Sequence, residues 1–288
     1  MTGRRVIPLR WPAAVAVGVV GVVGLIAFTW PFFVSGDVAR DHGNDAPWLF
    51  AVLLGLLAVV CLAEVTAGRL DAKTVAVLGV AAAAGGGLRL LSAGTAGLEP
   101  MFFVVIVAGC VLGPGVGFVA GALAVTTGAL LTGGVGPWLP FQMICSGAIG
   151  LGAGVLPVRP GSRLERWVVA GYALVTGLAF GLFMNLWFWP FLGSGAASGM
   201  AFVPGAPLSE NLAHYALFYL ATSLGWDLPR GVLNAVLVLL AGPALLRVFR
   251  RGARRAAFGV PVVFEPTGPT ATAATDRAVP VHGSQVQR

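Results

Sequence analysis

Apolar residues fill this chain in runs long enough to matter to a bilayer, which a helix crosses with about 20 such residues. On that measure eight spans are expected, at about 11–34, 47–67, 72–92, 101–112, 115–132, 141–157, 167–192 and 228–249. The fourth is short, and only the tight turn Gly113-Pro114-Gly115 parts it from the fifth. The first run follows Arg4, Arg5 and Arg10 and lacks a small-residue cleavage site, so it reads as a retained anchor. Between Gly193 and Asp227 the chain is a Gly/Ser loop, then passes Pro204 and Pro207. It becomes apolar and helix-like from Asn211 to Leu224. That half is too short to span alone, and is expected to be a re-entrant or interfacial segment, with a lid and a merely interfacial helix as the two readings of 212–225. Asp227 and Pro229 then read as the start of the last span.

The fold expected is all-α integral membrane: residues 1–68 form a two-helix membrane extension and 69–252 a six-helix core. Residues 253–288, rich in Pro, Ala, Thr and Gly, form a disordered tail. Composition agrees, with 57% hydrophobic and only 10% charged residues, against about 25% charged in soluble domains. The net charge of +7 does not indicate nucleic acid, because the arginines sit at the ends of apolar runs. With both termini cytoplasmic, the inner ends collect Arg4, Arg5, Arg10, Arg69, Lys73, Arg159, Arg163, Arg166, Arg247, Arg250, Arg251, Arg254 and Arg255. The outer ends receive only Arg40, Arg89 and Arg230. The asymmetry predicts a multi-pass membrane protein with both termini inside.

Several chemistries are absent. Lys73 is the only lysine and no G-x-x-x-x-G-K-[ST] occurs, so the chain has no P-loop for ATP. His42, His214 and His282 are scattered, and Cys61, Cys110 and Cys145 lie far apart inside apolar runs. No metal or cofactor is implied, and no nucleophile–base grouping marks an enzyme. The glycines at 113, 115, 117 and 121 serve turning and helix packing, as do Ser146, Gly150 and Gly154. A stand-alone secondary transporter is disfavoured because inverted repeats are missing and no carboxylate reads as lying well inside a span. A scaffold and an intramembrane enzyme remain as further alternatives.

Two constellations stand out. In Leu70–Leu91, Ala72, Ala76, Gly79, Ala83 and Gly86 recur at helical spacing and make one face almost free of side chains. Such a face docks a neighbouring helix, either of the same chain or of a separate subunit. The second is a polar and aromatic set at the outer side. A stiff Gly/Pro loop presents Trp138 and Gln142; Asn185, Trp187 and Trp189 end the long 167–192 helix; Trp226 and Arg230 flank Asp227. An amide inside a span needs a partner, and so does Arg230 in a first helical turn, with Asp227, Glu99 or a ligand as candidates. Arg89 ends its helix, where a cation is welcome. Together these describe an outward pocket with aromatic walls and polar anchors.

The stretches DAKTVAVLGVAAAA, Gly97-Leu98-Glu99-Pro100, VLGPGVGFVAGAL, LTGGVGPWLPFQM, MNLWFWPF and SLGWDLPRGVLNAVLVLLAGP occur in this order. In order and six-helix spacing, about Leu70 to Arg251 resembles the substrate-binding (S) component of energy-coupling factor (ECF) vitamin transporters, of the actinobacterial type. The resemblance implies a substrate-specific subunit of an ABC importer in a bacterial cell membrane, one that is not itself an enzyme and carries no cofactor. It would bind a vitamin from outside, and would topple to release it. Its partners would be a transmembrane coupling subunit and a pair of ATP-binding subunits. Substrate-binding residues would be Arg89, Glu99, Trp138, Gln142, Asn185, Trp187, Trp189, Trp226 and Arg230. Gly79 and Ala83, extended by Ala72 and Ala76, would dock the coupling subunit. The branch is associated with cobalamin or a related precursor. The two N-terminal helices depart from the family pattern.

Overall fold

A computed structural model describes residues 11–29, 32–33, 51–52, 54–55, 58–59, 72–92, 95–192 and 199–256. The described residues are helical or in turns and loops. The helices are α1 (Trp11–Thr29), α2 (Ala72–Leu90), α3 (Met101–Leu112), α4 (Pro114–Thr132) and α5 (Leu139–Val155). They continue with α6 (Glu165–Phe188), extended by a 3₁₀ turn at Trp189–Phe191, then α7 (Leu208–Phe218), α8 (Leu224–Leu240) and α9 (Gly242–Ala256). The expected span at 47–67 is helical at the six positions described between 51 and 59. Cys61, the acids of the 37–45 loop and the tail from 257 lie outside the described residues.

The short α3 is the hub. Ten of its twelve residues are buried, because α2, α4, α5, α6, α8 and α9 all pack on it. It runs straight into α4 through Gly113, whose φ of 102° suits the abrupt reversal. Gly109, Gly117 and Gly150 meet where α3, α4 and α5 cross: a side chain at Gly109 or Gly117 would fall on the Gly150 carbonyl. A bilayer gives helices no hydrophobic drive to associate, so contacts this close between backbones supply the packing energy.

The smooth face of α2 divides in two. Leu78, Ala81, Ala82, Gly85 and Gly86 are buried, the glycines tightly enough that a Cβ on Gly86 would meet Thr127 of α4 at 2.6 Å. Ala76, Gly79 and Ala83 are exposed, and a Cβ on Gly79 would find nothing within 4 Å. The intramolecular seam therefore runs beside the predicted stripe and takes only Gly86 from it.

The last span differs most from expectation. α7 and α8 form one continuous 33-residue helix, Leu208–Leu240, joined by a π turn at Tyr219–Ser223. The 212–225 segment is thus part of a membrane-length helix, and Pro229 sits inside it. It packs along α6, where Gly177 meets Gly231 and Gly181 meets the Asp227 carboxylate. With α4 and the extended α6, this helix is long and apolar enough to cross a membrane, while α3 and α5 are apolar but shorter. α9 turns away at Ala241 and carries its arginines on a strongly amphipathic helix that reaches Ala256, beyond the expected boundary at 252. α1 lies against α5 and α6 along Val20, Ala27 and Phe28, with Phe28 at 5.0 Å from Phe141 and 6.0 Å from Phe183.

Candidate functional site

Four elements bring their ionic side chains to one buried point. Arg89 comes from the last turn of α2, Glu99 from the loop before α3, Gln142 from the first turn of α5, and Asp227 and Arg230 from α8. Arg89 donates from Nη2 to Gln142 Oε1 at 2.9 Å, and its Nε stands 3.9 Å from Glu99 Oε1. Arg230 donates from Nε to Glu99 Oε2 at 3.2 Å and from Nη1 to Asp227 Oδ1. Its guanidinium also lies over the Phe180 ring, 5.2 Å from the centroid, an attraction strengthened by exclusion of water.

Local structure explains how the loop reaches α8. Ala96 and Gly97 take positive φ, 51° and 88°, and a side chain on Gly97 would strike the backbone of Trp226. Only a glycine there lets the 95–99 loop lie on α8 and present Glu99 to Arg230. Asn234, with no exposed surface, clamps the arrangement. Its Oδ1 accepts from Phe103 N at 2.7 Å, and its Nδ2 donates to the carbonyls of Glu99 and Arg230, each at 2.8 Å. Since no α3 residue caps that helix with a side chain, a residue of another helix does so. Sequence reasoning missed Asn234, although the argument that singled out Asn185, an amide inside a span, applies to it equally.

Two charged atoms in this centre remain unfinished. Arg89 Nη1 and Asp227 Oδ2 are buried and have no hydrogen-bond partner within 3.5 Å; the Tyr219 hydroxyl lies near the Asp227 carboxylate and also reaches Leu178 O at 3.4 Å. Leaving such a group without a partner costs about 1–3 kcal/mol, and more when it is charged. Asp227 is 3% exposed and lies within the 33-residue helix, which corrects the expectation that no carboxylate lies well inside a span. Arg230 likewise is not in a first turn, being 22 residues into Leu208–Leu240. Both protein partners considered for it, Asp227 and Glu99, are engaged together.

The aromatic candidates separate. Trp138 and Trp187 meet edge-on with ring centroids 6.2 Å apart, and Trp187 lies 5.9 Å from Phe141, the neighbour of Gln142. The loop that presents them is shorter than expected, since Gln142 is already helical. Asn185, two residues before Trp187, has a buried Nδ2 without a partner. Trp189 is fully buried, donates from Nε1 to Met200 O at 2.7 Å, and packs on Phe202 and Tyr215. Trp226 is 54% exposed and contributes its backbone, behind Gly97. A separate apolar cleft of about 260 Å³ lies between α1, α5 and α6, lined among others by Phe28, Ile144, Tyr172 and Phe183. It contains no charged residue.

The opposite end of α6, about 22 Å away along the helix at 1.5 Å per residue, holds a second buried ion pair. Glu165 accepts from both Nη1 and Nη2 of Arg250, at 2.9 Å for the first, and from Gly161 N at 2.6 Å.

This is a helical, multi-pass cell-membrane protein organised around a buried and incompletely satisfied ionic centre. The family model for the substrate-specific component of ECF transporters matches residues 73–242, and the chain belongs to that family. No curated protein and no solved structure matches it. The matched region contains the whole ionic centre and both aromatic groups, while α1 and nearly all of α9 fall outside it.

Proposed function

We propose that this chain captures a vitamin or related micronutrient for an ECF-type importer and passes it to a membrane coupling subunit driven by separate ATP-binding subunits. One observation carries the reading: the ionic centre lies inside the family-matched region and leaves Arg89 Nη1 and Asp227 Oδ2 buried without partners. A ligand with an anionic acceptor and a nearby donor completes both. Gln142 and Glu99 hold Arg89 towards that acceptor, and Arg230 anchors Asp227 through its other oxygen, Oδ1. Trp138, Trp187 and the Asn185 amide supply a wall and an additional donor. Trp189 and Trp226 act indirectly, by holding the 200–202 loop and the Gly97 turn.

The exposed residues Ala76, Gly79 and Ala83, with Ala72 in the turn before them, form the face for the coupling subunit. Both termini are cytoplasmic, following the arginine asymmetry. Cobalamin or a precursor is the first substrate to test. The protein is purified in detergent, any retained small molecule is identified by mass spectrometry, and a vitamin panel including cobalamin is titrated. Tight stoichiometric binding of one member is expected; a folded protein that binds none contradicts the reading. Gly79→Leu with Ala83→Leu should abolish co-purification with a coupling subunit while leaving ligand binding intact.

A further inference from the structure

At the far end of the bundle, four arginines surround one recess. Arg163, Arg166, Arg247 and Arg250, with Ser162, Glu165 and the start of α9, line a space of about 350 Å³. Arg250 neutralises Glu165 by its two-pronged contact. Among the described residues Arg163, Arg166 and Arg247 have no acidic partner; Arg247 uses only its Nε, on Pro243 O, and Arg166 lies over the Trp167 ring at 5.2 Å. The recess thus has four cations against one carboxylate. Ser162 Oγ, which also lines it, is buried and makes no hydrogen bond, and no side chain caps the adjacent start of α6.

The surroundings say what kind of anion fits. Leu164, Trp167 and Val248 are exposed and apolar, within a few residues of these arginines. An exposed tryptophan beside an arginine at the end of a membrane helix marks the headgroup level of a bilayer. On α9, Leu245 and Leu246 pack into the core while Val248 and Phe249 stay exposed beside the arginines, which suits a helix lying at the same level. A free solute would meet the arginines alone, whereas a lipid also satisfies the apolar rim.

We infer that this recess is a binding site for the phosphate-bearing headgroup of an anionic phospholipid, with Arg163, Arg166 and Arg247 as its cationic ligands and Ser162 as an additional donor. The inference is independent of the substrate site, since no residue is shared. The lipid pins α9 and the start of α6 to the bilayer surface.

The test uses the full chain in nanodiscs or detergent micelles containing phosphatidylglycerol or phosphatidylcholine, with retained lipid read by native mass spectrometry and stability by thermal unfolding. Phosphatidylglycerol should be retained preferentially and should raise Tm. The preference should fall about fivefold for each of Arg163→Gln, Arg166→Gln and Arg247→Gln, the worth of one basic residue near an anionic surface. Replacing the three by lysine should preserve most of it, which separates lost charge from misfolding, and Arg251→Gln outside the recess should leave it unchanged. Equal retention of both lipids by wild type, or an undiminished preference in a folded triple Gln variant, would overturn the inference. Stabilisation by inorganic phosphate without any lipid preference would overturn the lipid assignment in favour of a soluble anion. A preference that appears only once ATP-binding subunits are added would assign the arginines to a protein contact instead.

Discussion

The two buried ionic groups of this protein differ in how completely they are satisfied. Glu165 meets Arg250 with both carboxylate oxygens and takes a third hydrogen bond from Gly161. The centre around Glu99 joins two arginines to two carboxylates across three elements, with Gln142 from a fourth, yet Arg89 Nη1 and Asp227 Oδ2 have no hydrogen-bond partner. A finished pair contributes to one folded arrangement. An unfinished one, held by the Asn234 clamp and the Gly97 turn, has two atoms without a hydrogen-bond partner among the described residues. Buried charge within a membrane segment is costly enough that a functional role is the default expectation.

The sharpest way to break the contrast is to remove one partner of the finished pair. Glu165→Gln leaves the Arg250 charge buried and should cost about 3–5 kcal/mol, read as a large fall in Tm with ligand affinity unchanged in the molecules that remain folded. Next comes the clamp. Asn234→Ala strips hydrogen bonds from Phe103 N and the Glu99 and Arg230 carbonyls, so a loss of about 2–3 kcal/mol in thermal unfolding is expected, accompanied by weaker ligand binding. If Asn234→Ala lowers Tm but spares binding, the clamp serves the fold alone. The α2 faces give a paired control: Gly86→Leu should disrupt folding against Thr127 of α4, whereas Gly79→Leu should change Tm by less than about 0.5 kcal/mol equivalent, as for an exposed substitution. Arg89→Gln gives up the Gln142 hydrogen bond and the Glu99 ion pair but also removes an orphaned donor, so it should cost less stability than Glu165→Gln. Its effect should fall on binding.

Most of the fold was legible because hydropathy reports membrane spans directly, and the Met101–Leu112 helix coincides with its apolar run. The last span was misread for a local reason. Asp227 and Pro229 resemble a helix start, but the apolar flank from Asn211 continues the helix through a π turn at Tyr219–Ser223 and past Pro229. In a membrane helix proline is tolerated where neighbouring groups satisfy the freed backbone. The α2 stripe was legible as a smooth face. Its division was not, because small residues at 81–87 surround the helix and only three-dimensional packing selects which of them touch α4.

Of the candidate site, Arg89, Glu99, Gln142 and Arg230 were singled out from charge and position, and the fold joins them through two hydrogen bonds linked by the Arg89–Glu99 ion pair. Trp189 belonged to the same run as Trp187 but faces the 200–202 loop, since residues two apart on a helix point to different sides. Asn234 escaped notice because it lies inside an apolar run with no polar residue beside it in sequence, while its three partners lie on other elements or one turn back.

The central claim is that the unfinished centre, and not the finished pair, receives the substrate. It is tested most directly by measuring the affinity of the retained or best-binding vitamin for wild type, Arg89→Gln and Arg250→Gln side by side, on protein confirmed as folded. Loss of a charge-assisted hydrogen bond predicts at least a tenfold weaker Kd for Arg89→Gln, from about 1.5–3 kcal/mol, with Arg250→Gln binding as wild type. Equal affinities for wild type and Arg89→Gln would contradict the account.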